Sequence, residues 1–138
     1  MLDKIAKHFD FQQRALNLRA YRTEVLASNI ANDETPNYKA VDFDFGKALQ
    51  AQTDAQGRLA MNLTDAHHLA GASGGNGNGA ALQYRAAVQP SVDGNTVDMD
   101  VERAAFADNA VRFQSTLTFL SKRISGLSSA IQGQGGNS

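Results

Sequence analysis

Cysteine is absent from the 138 residues, which excludes disulfides, thiolate metal sites and cysteine nucleophiles. An excess of one charge is absent as well. Thirteen Lys and Arg stand against fourteen Asp and Glu, a formal net charge of -1. The basic footprint expected of a nucleic-acid binder is missing, and no like-charge run suggests an anionic-membrane anchor. No window approaches the roughly 18 apolar residues of a membrane span. The opening MLDKIAKHFDFQQRALN lacks the apolar core and small-residue cleavage site of a secretory signal. Taken alone, these absences point to a soluble, cytoplasmic chain; a protein leaving the cell by a route without a cleaved signal would look the same. The length suits one domain, or one helical core with an appendage.

What is present is helical periodicity at both ends. From about Asp3, a plausible N-cap, to Ala31, the residues Leu2, Ile5, Phe9, Leu16, Ala20, Ala27 and Ile30 trace a broken apolar stripe. Phe11, Ala15, Leu18 and Val25 trace a second, and two stripes on one helix imply two neighbours or a wide core face. Toward the C-terminus Met99, Phe106, Phe113, Leu120 and Leu127 recur every seven residues, and Arg103, Ala110, Leu117, Ile124 and Ile131 follow four positions behind. From Phe106 onward that seam is wholly apolar. A seven-residue repeat favours coiled-coil-like packing of long helices. Thr96 can cap this helix, Asp98 and Asp100 suit its first turn, and Gly133 is expected to end it. Helices of this length would be about 43 and 54 Å long, and the pair carries more apolar stripe than two helices cover between themselves. Ile5, Phe9 and Leu16 with Phe106, Ala110, Phe113, Leu117, Leu120, Ile124, Leu127 and Ile131 are therefore expected to form an assembly seam.

The middle is irregular. Val41, Phe43 and Phe45 alternate with Asp42 and Asp44 as in a half-buried strand; a short helix around Lys47 to Gln52 and an extended piece from Leu59 to Leu63 are possible. Leu82, Tyr84 and Ala86 alternate again. GASGGNGNGA, Gly71 to Ala80, reads as flexible linker, since it lacks the Lys-Ser/Thr of a phosphate loop. His67 and His68 have no further histidine nearby and fall short of a zinc set. Asn62-Leu63-Thr64 fits a glycosylation sequon of the kind that arises by chance. Ser115, Ser121, Ser125, Ser128 and Ser129 have no His or Lys at meaningful spacing and are expected to keep an outer helix face small and polar. No catalytic set, metal or cofactor is expected.

LASNIANDETPNYKA, Leu26 to Ala40, crowds turn-forming residues at the end of a long helix. Asn32 is suited to a left-handed helix-ending position, Pro36 makes Thr35 extended, and Pro36-Asn37 fits a type II turn whose second central residue needs positive φ. Tyr38 would anchor the exit. This stretch resembles the signature of the bacterial flagellar axial proteins, approximately A-x-N-[IL]-A-N-x-x-T-P-G-Y: Asn29, Ala31, Asn32, Thr35, Pro36 and Tyr38 match, while Asn37 stands where glycine is usual. FQQRALNLRAYRTEVLASNIAN, VDFDF and PSVDGNTVDMDVERAAFADNAVRFQ narrow the resemblance to the basal-body rod proteins, of the proximal rod type.

The resemblance implies a mainly α fold. A terminal axial helix at 1–32 and another, with a tail, at 97–138 would form a coiled-coil-like inner layer around a channel, with a turn, extended and glycine-rich segment at 33–96. It implies a structural subunit of the proximal rod, part of a drive shaft that transmits torque, placed in the periplasm after type III export without a cleaved signal. Implied partners are copies of itself, other rod proteins, the adaptor joining the membrane-supramembrane ring to the rod, and the export apparatus, with no nucleic acid. Two other readings are a cytoplasmic helical adaptor or export chaperone, and a wall-remodelling hydrolase; the second lacks any visible acid or nucleophile set.

Overall fold

Residues 1–59, 82–85 and 91–135 are described by a computed structural model, residues 55–59 and 134–135 as helix backbone only. Two long helices dominate: α1, Leu2–Ala31, and α3, Met99–Gly135, of 30 and 37 residues. Between them lie β1, Val41–Asp42, α2, Phe45–Leu59, and β2, Gln83–Tyr84. The long helices run antiparallel: Asn29 near the end of α1 bonds Glu102 near the start of α3, and His8 meets Phe119 edge-on at the other end, ring centroids 6.1 Å apart. A mainly helical fold with a small extended middle is what the periodicity implied.

Local chemistry shifts several boundaries. Met1, without a side-chain bond, takes the N-cap of α1, so Asp3 lies in the first turn. Asp98 rather than Thr96 caps α3, its Oδ1 accepting from the Asp100 and Val101 N–H groups. Thr96 is diverted to accept from the Ala40 N–H at 2.8 Å. Asn32 ends α1 at φ -103, not in the left-handed region, because its N–H still reaches back to Ser28 and Asn29 carbonyls. Gly133 does not stop α3, which continues through Gly135.

The strand expected over Val41 to Phe45 is only two residues long. Asp44 Oδ1 accepts the Lys47 N–H at 3.0 Å and so caps a helix that starts at Phe45. α2 is therefore 15 residues, extending the short helix expected around Lys47 to Gln52 at both ends, and Leu59 closes it instead of opening an extended piece. β1 and β2 pair antiparallel, Val41 opposite Tyr84 and Asp42 opposite Gln83. Ala86, His67, His68, the sequon and the Gly71–Ala80 stretch lie outside the described residues.

The core is off-centre. Leu18, Tyr21 and Val25 of α1 pack on Phe43 and Ala48, bordered by Val41, Phe45 and Leu49, and Tyr21 stacks on Phe43 at 5.5 Å. This is largely the second stripe of α1, covered by β1 and α2. The buried residues of α1 fall between Ala15 and Asn29, the half on which β1 and the start of α2 pack. Leu18 and Leu26 are fully buried, each contributing about 1.5–3 kcal/mol.

Candidate functional site

The turn that leaves α1 and the turn that enters α3 fold into one knot. The Tyr38 N–H bonds Thr35 O at 3.3 Å, and Asn37, between Pro36 and Tyr38, sits at φ 60, as a type II turn requires. Gly94 faces it at φ 75. A Cβ at Gly94 would come within 2.6 Å of Asn37 Oδ1, so any other residue there must displace the Asn37 side chain as well as bear the positive φ. The Asn37 N–H donates to Asp93 O at 2.9 Å and the Thr96 N–H to Tyr38 O at 3.0 Å. Asn95, 6% exposed, is the clasp. Its Nδ2 reaches Asn32 O, Asp33 O and Thr35 O at 2.9, 2.8 and 2.7 Å, and its Oδ1 accepts the Val97 N–H at 2.8 Å. One side chain thus ties together three carbonyls of the turn that follows α1.

One turn back, fully buried Asn29 acts as a surrogate strand. Its Nδ2 donates to Val41 O at 2.7 Å and its Oδ1 accepts the Val41 N–H at 3.1 Å, so the amide pairs with β1 as a peptide unit would. The same amide accepts from the Tyr38 hydroxyl at 3.0 Å and donates to Glu102 Oε2 at 3.2 Å. Beside it lies a charge quartet. Arg22 grips Asp42 through Nε and Nη2, which donate to Oδ1 and Oδ2 at 3.1 and 3.0 Å. Arg85 bridges Asp42, at 2.5 Å, and the fully buried Glu102. Two cations against two anions let these carboxylates be buried. Burial by itself pushes the Asp42 carboxyl up, but the hydrogen bond from Arg22, the Phe43 N–H, the Arg22 charge and the Arg85 hydrogen bond outweigh it and hold it below the usual carboxylate range. α1, β1, β2 and α3 all meet here.

Farther along, the seam of α3 divides. Phe106, Phe113, Leu120 and Leu127 are half-buried. The residues three positions after the first two, Asn109 and Thr116, lie about 60° to one side, and those four after, Ala110 and Leu117, about 40° to the other. α1 comes in on the polar side: Glu102 and Asn109 are fully buried and Thr116 half-buried. The second apolar column is left outside. Ala110 is exposed, and Leu117, Ile124 and Ile131 are 37%, 54% and 73% exposed. Exposure rises toward the C-terminal end of α3. Ile5, Phe9 and Leu16 are half-buried, and Phe9 faces Ile124, Leu127 and Ile131 across an open cleft.

Of the signature residues, Asn29, Asn32, Thr35 and Tyr38 converge on the knot; Ala31 and Pro36 are exposed and shape the backbone. Glu102, Asn109, Asn95, Arg22, Asp42 and Arg85 were not singled out from sequence. Glu102, Asn109 and Thr116 repeat every seven residues, a polar column that could have been noticed beside the apolar one. Arg22 and Arg85 gave no signal, since their partners are distant in the chain. Ser115, Ser121, Ser125, Ser128 and Ser129 are all exposed. Among the described residues no group of three or more His, Asp or Glu could hold a metal.

Residues 9–39, most of α1 and the turn, match the family model for flagella basal body rod protein. Over nearly the whole chain the protein is similar to the flagellar basal body rod protein FlgB of Escherichia coli, 48% identical across 96% of this chain and 98% of that relative. The FlgB of Salmonella typhimurium is 45% identical across 96% and 99%, and that of Cereibacter sphaeroides (strain ATCC 17029 / ATH 2.4.9) 50% identical across 88% and 91%.

Proposed function

Because this chain belongs to the FlgB family of flagellar basal body rod proteins, we propose that its helical hairpin builds the rod through the apolar column it leaves uncovered on α3. The chain is a structural subunit of the basal-body rod. In this reading 1–32 and 97–138 are the axial helices and 33–96 the segment that locks them at one end. The subunit carries torque and helps wall the export path. It has no catalytic role.

One observation carries the reading. Ala110, Leu117, Ile124 and Ile131 form a continuous apolar column on α3 that no other described residues of the chain cover, and exposed apolar stripes of this kind mark interaction surfaces. Copies of this chain and other rod proteins are its natural occupants. The adaptor below the rod and the type III export apparatus complete the partner set, with export preceding assembly in the periplasm. No observation favours a cytoplasmic adaptor or chaperone.

Ile124→Asp tests this cleanly, because Ile124 is 54% exposed and a charge there leaves the hairpin intact. The variant should keep its helical circular dichroism, be absent from detergent-purified basal bodies, and fail to restore swimming to a strain lacking the gene. Normal swimming with the variant in basal bodies would remove the column from the assembly surface. Absence of the wild-type chain from basal bodies would favour a cytoplasmic role instead.

A further inference from the structure

The apolar columns of α1 and α3 cannot by themselves fix how the two helices align. Phe106, Phe113, Leu120 and Leu127 repeat every seven residues, so sliding one helix along the other by a heptad replaces apolar with apolar. The same degeneracy lets α3 accept an equivalent helix of a neighbouring copy. Something polar has to distinguish the correct alignment, as buried polar residues do in coiled coils.

Asn109 is fully buried in the seam. Its Nδ2 donates to Arg19 O at 3.0 Å and to Thr23 Oγ1 at 2.9 Å, and Thr23 Oγ1 in turn donates to Arg19 O at 3.0 Å. A slip of seven residues brings Leu16 or Ile30 to the place of Thr23, and neither has a hydroxyl. The buried amide would then keep a backbone carbonyl but lose its bond to the Thr23 hydroxyl, which disfavours the slipped state by about tenfold. Among the described residues no hydrogen bond joins α1 to α3 beyond Asn109 toward the chain ends; His8 Nε2, buried there, has no partner at all.

We infer that Asn109 is the register-determining residue of the α1–α3 pair, holding α1 to α3 of its own chain while the outer column stays available to other subunits. Glu102 and Asn29 sit inside the turn knot and fix the end of the pair; Asn109 carries that register into the seam. Its cost is stability, since an apolar residue would pack there at no desolvation penalty. The inference concerns pairing within the chain and stands whether or not the outer column is the rod interface.

The chain has no cysteine, so spin labels can be placed at will. Gln13→Cys and Gln114→Cys, both at exposed positions, give one label on each helix for pulsed dipolar distance measurement on the full chain. The wild-type background should show one narrow distance, and mixtures of singly labelled copies no interchain coupling. Asn109→Leu should retain its helical circular dichroism and denaturation midpoint, yet add a second population displaced along the axis by about 10 Å, the length of a heptad. It should also show interchain coupling in the mixture. Thr23→Val, which removes the acceptor hydroxyl, should broaden the distribution in the same way. A single unchanged distance in both variants would overturn the inference by showing that the turn knot alone sets the register. Loss of helix in Asn109→Leu would overturn it too, by making Asn109 a support of the fold and not of its alignment.

Discussion

Asn29→Asp exchanges one amide nitrogen for oxygen at the centre of the knot, and its consequence can be worked out. Nδ2 now donates to Val41 O at 2.7 Å and Glu102 Oε2 at 3.2 Å. A carboxylate donates to neither and instead faces the Glu102 carboxylate at that distance. Two unit charges 3.2 Å apart repel by roughly 5 kcal/mol at an effective dielectric constant of about 20. The pair can escape by taking up a shared proton. At pH 7 that costs about 4 kcal/mol, roughly 3 pH units above a carboxylate's ordinary value at about 1.4 kcal/mol each, and so caps the repulsion. The lost bond to Val41 O adds about 1–2 kcal/mol. The expected destabilisation at pH 7 is therefore about 5 kcal/mol, against about 3 kcal/mol for Asn29→Ala, which empties the site without adding charge. Because the folded pair holds its proton more tightly than the unfolded chain, the deficit is smallest below the ordinary carboxylate range and grows as pH rises through the pair's raised value. Urea denaturation of wild type, Asn29→Asp and Asn29→Ala at pH 4.5 and 7 measures this directly. If Asn29→Asp were the milder variant at pH 7, or its deficit the same at both pH values, Asn29 would not be the donor to Glu102 and the knot would be wired differently.

Asp42→Asn should flatten the acid limb of the stability curve. The depressed Asp42 carboxyl stabilises the fold above the ordinary carboxylate value near 4, and that share is lost as pH falls through its lower folded value; parallel acid titrations followed by circular dichroism would show the two proteins converging once the pH is below that lowered value. Gly94→Ala combines a positive φ with a close approach to Asn37 and should cost about 2–3 kcal/mol; in an Asn37→Gly background the steric part disappears and only the backbone strain persists, so thermal melts of the double variant should recover part of the loss. Asn37→Gly alone should be near neutral, whereas Asn37→Val at φ 60 should destabilise by about 1–3 kcal/mol, and equal melting of the two would deny the left-handed turn.

The two long helices were legible because their signal is local and repeated: an apolar residue every third or fourth position fixes a helix wherever the chain goes. The turn at Asn37 was legible for the same reason, since proline and a residue tolerant of positive φ determine a type II turn within four residues. The heptad at Phe106, Phe113, Leu120 and Leu127 announced a partner helix. It could not say which flank the partner would take, because the columns three and four positions on lie at similar angles from the shared one. That choice depends on whether buried Asn109 and Glu102 find partners on α1, and those partners, Thr23 and Asn29, lie 86 and 73 residues away.

Sequence by itself therefore determined the two long helices, the turn at Asn37 and the family, but not α2 or the residues that cap the helices. Tertiary structure decided where charge could be buried and which apolar column stayed outside. Asp42 and Glu102 read as ordinary solvated acids until Arg22 and Arg85 arrive from elsewhere in the chain. Asn95 reads as a turn residue until three carbonyls of the turn after α1 converge on its amide. A lone polar side chain carries no record of its future partner; the cost of burying it is met only by groups that folding brings within about 3 Å.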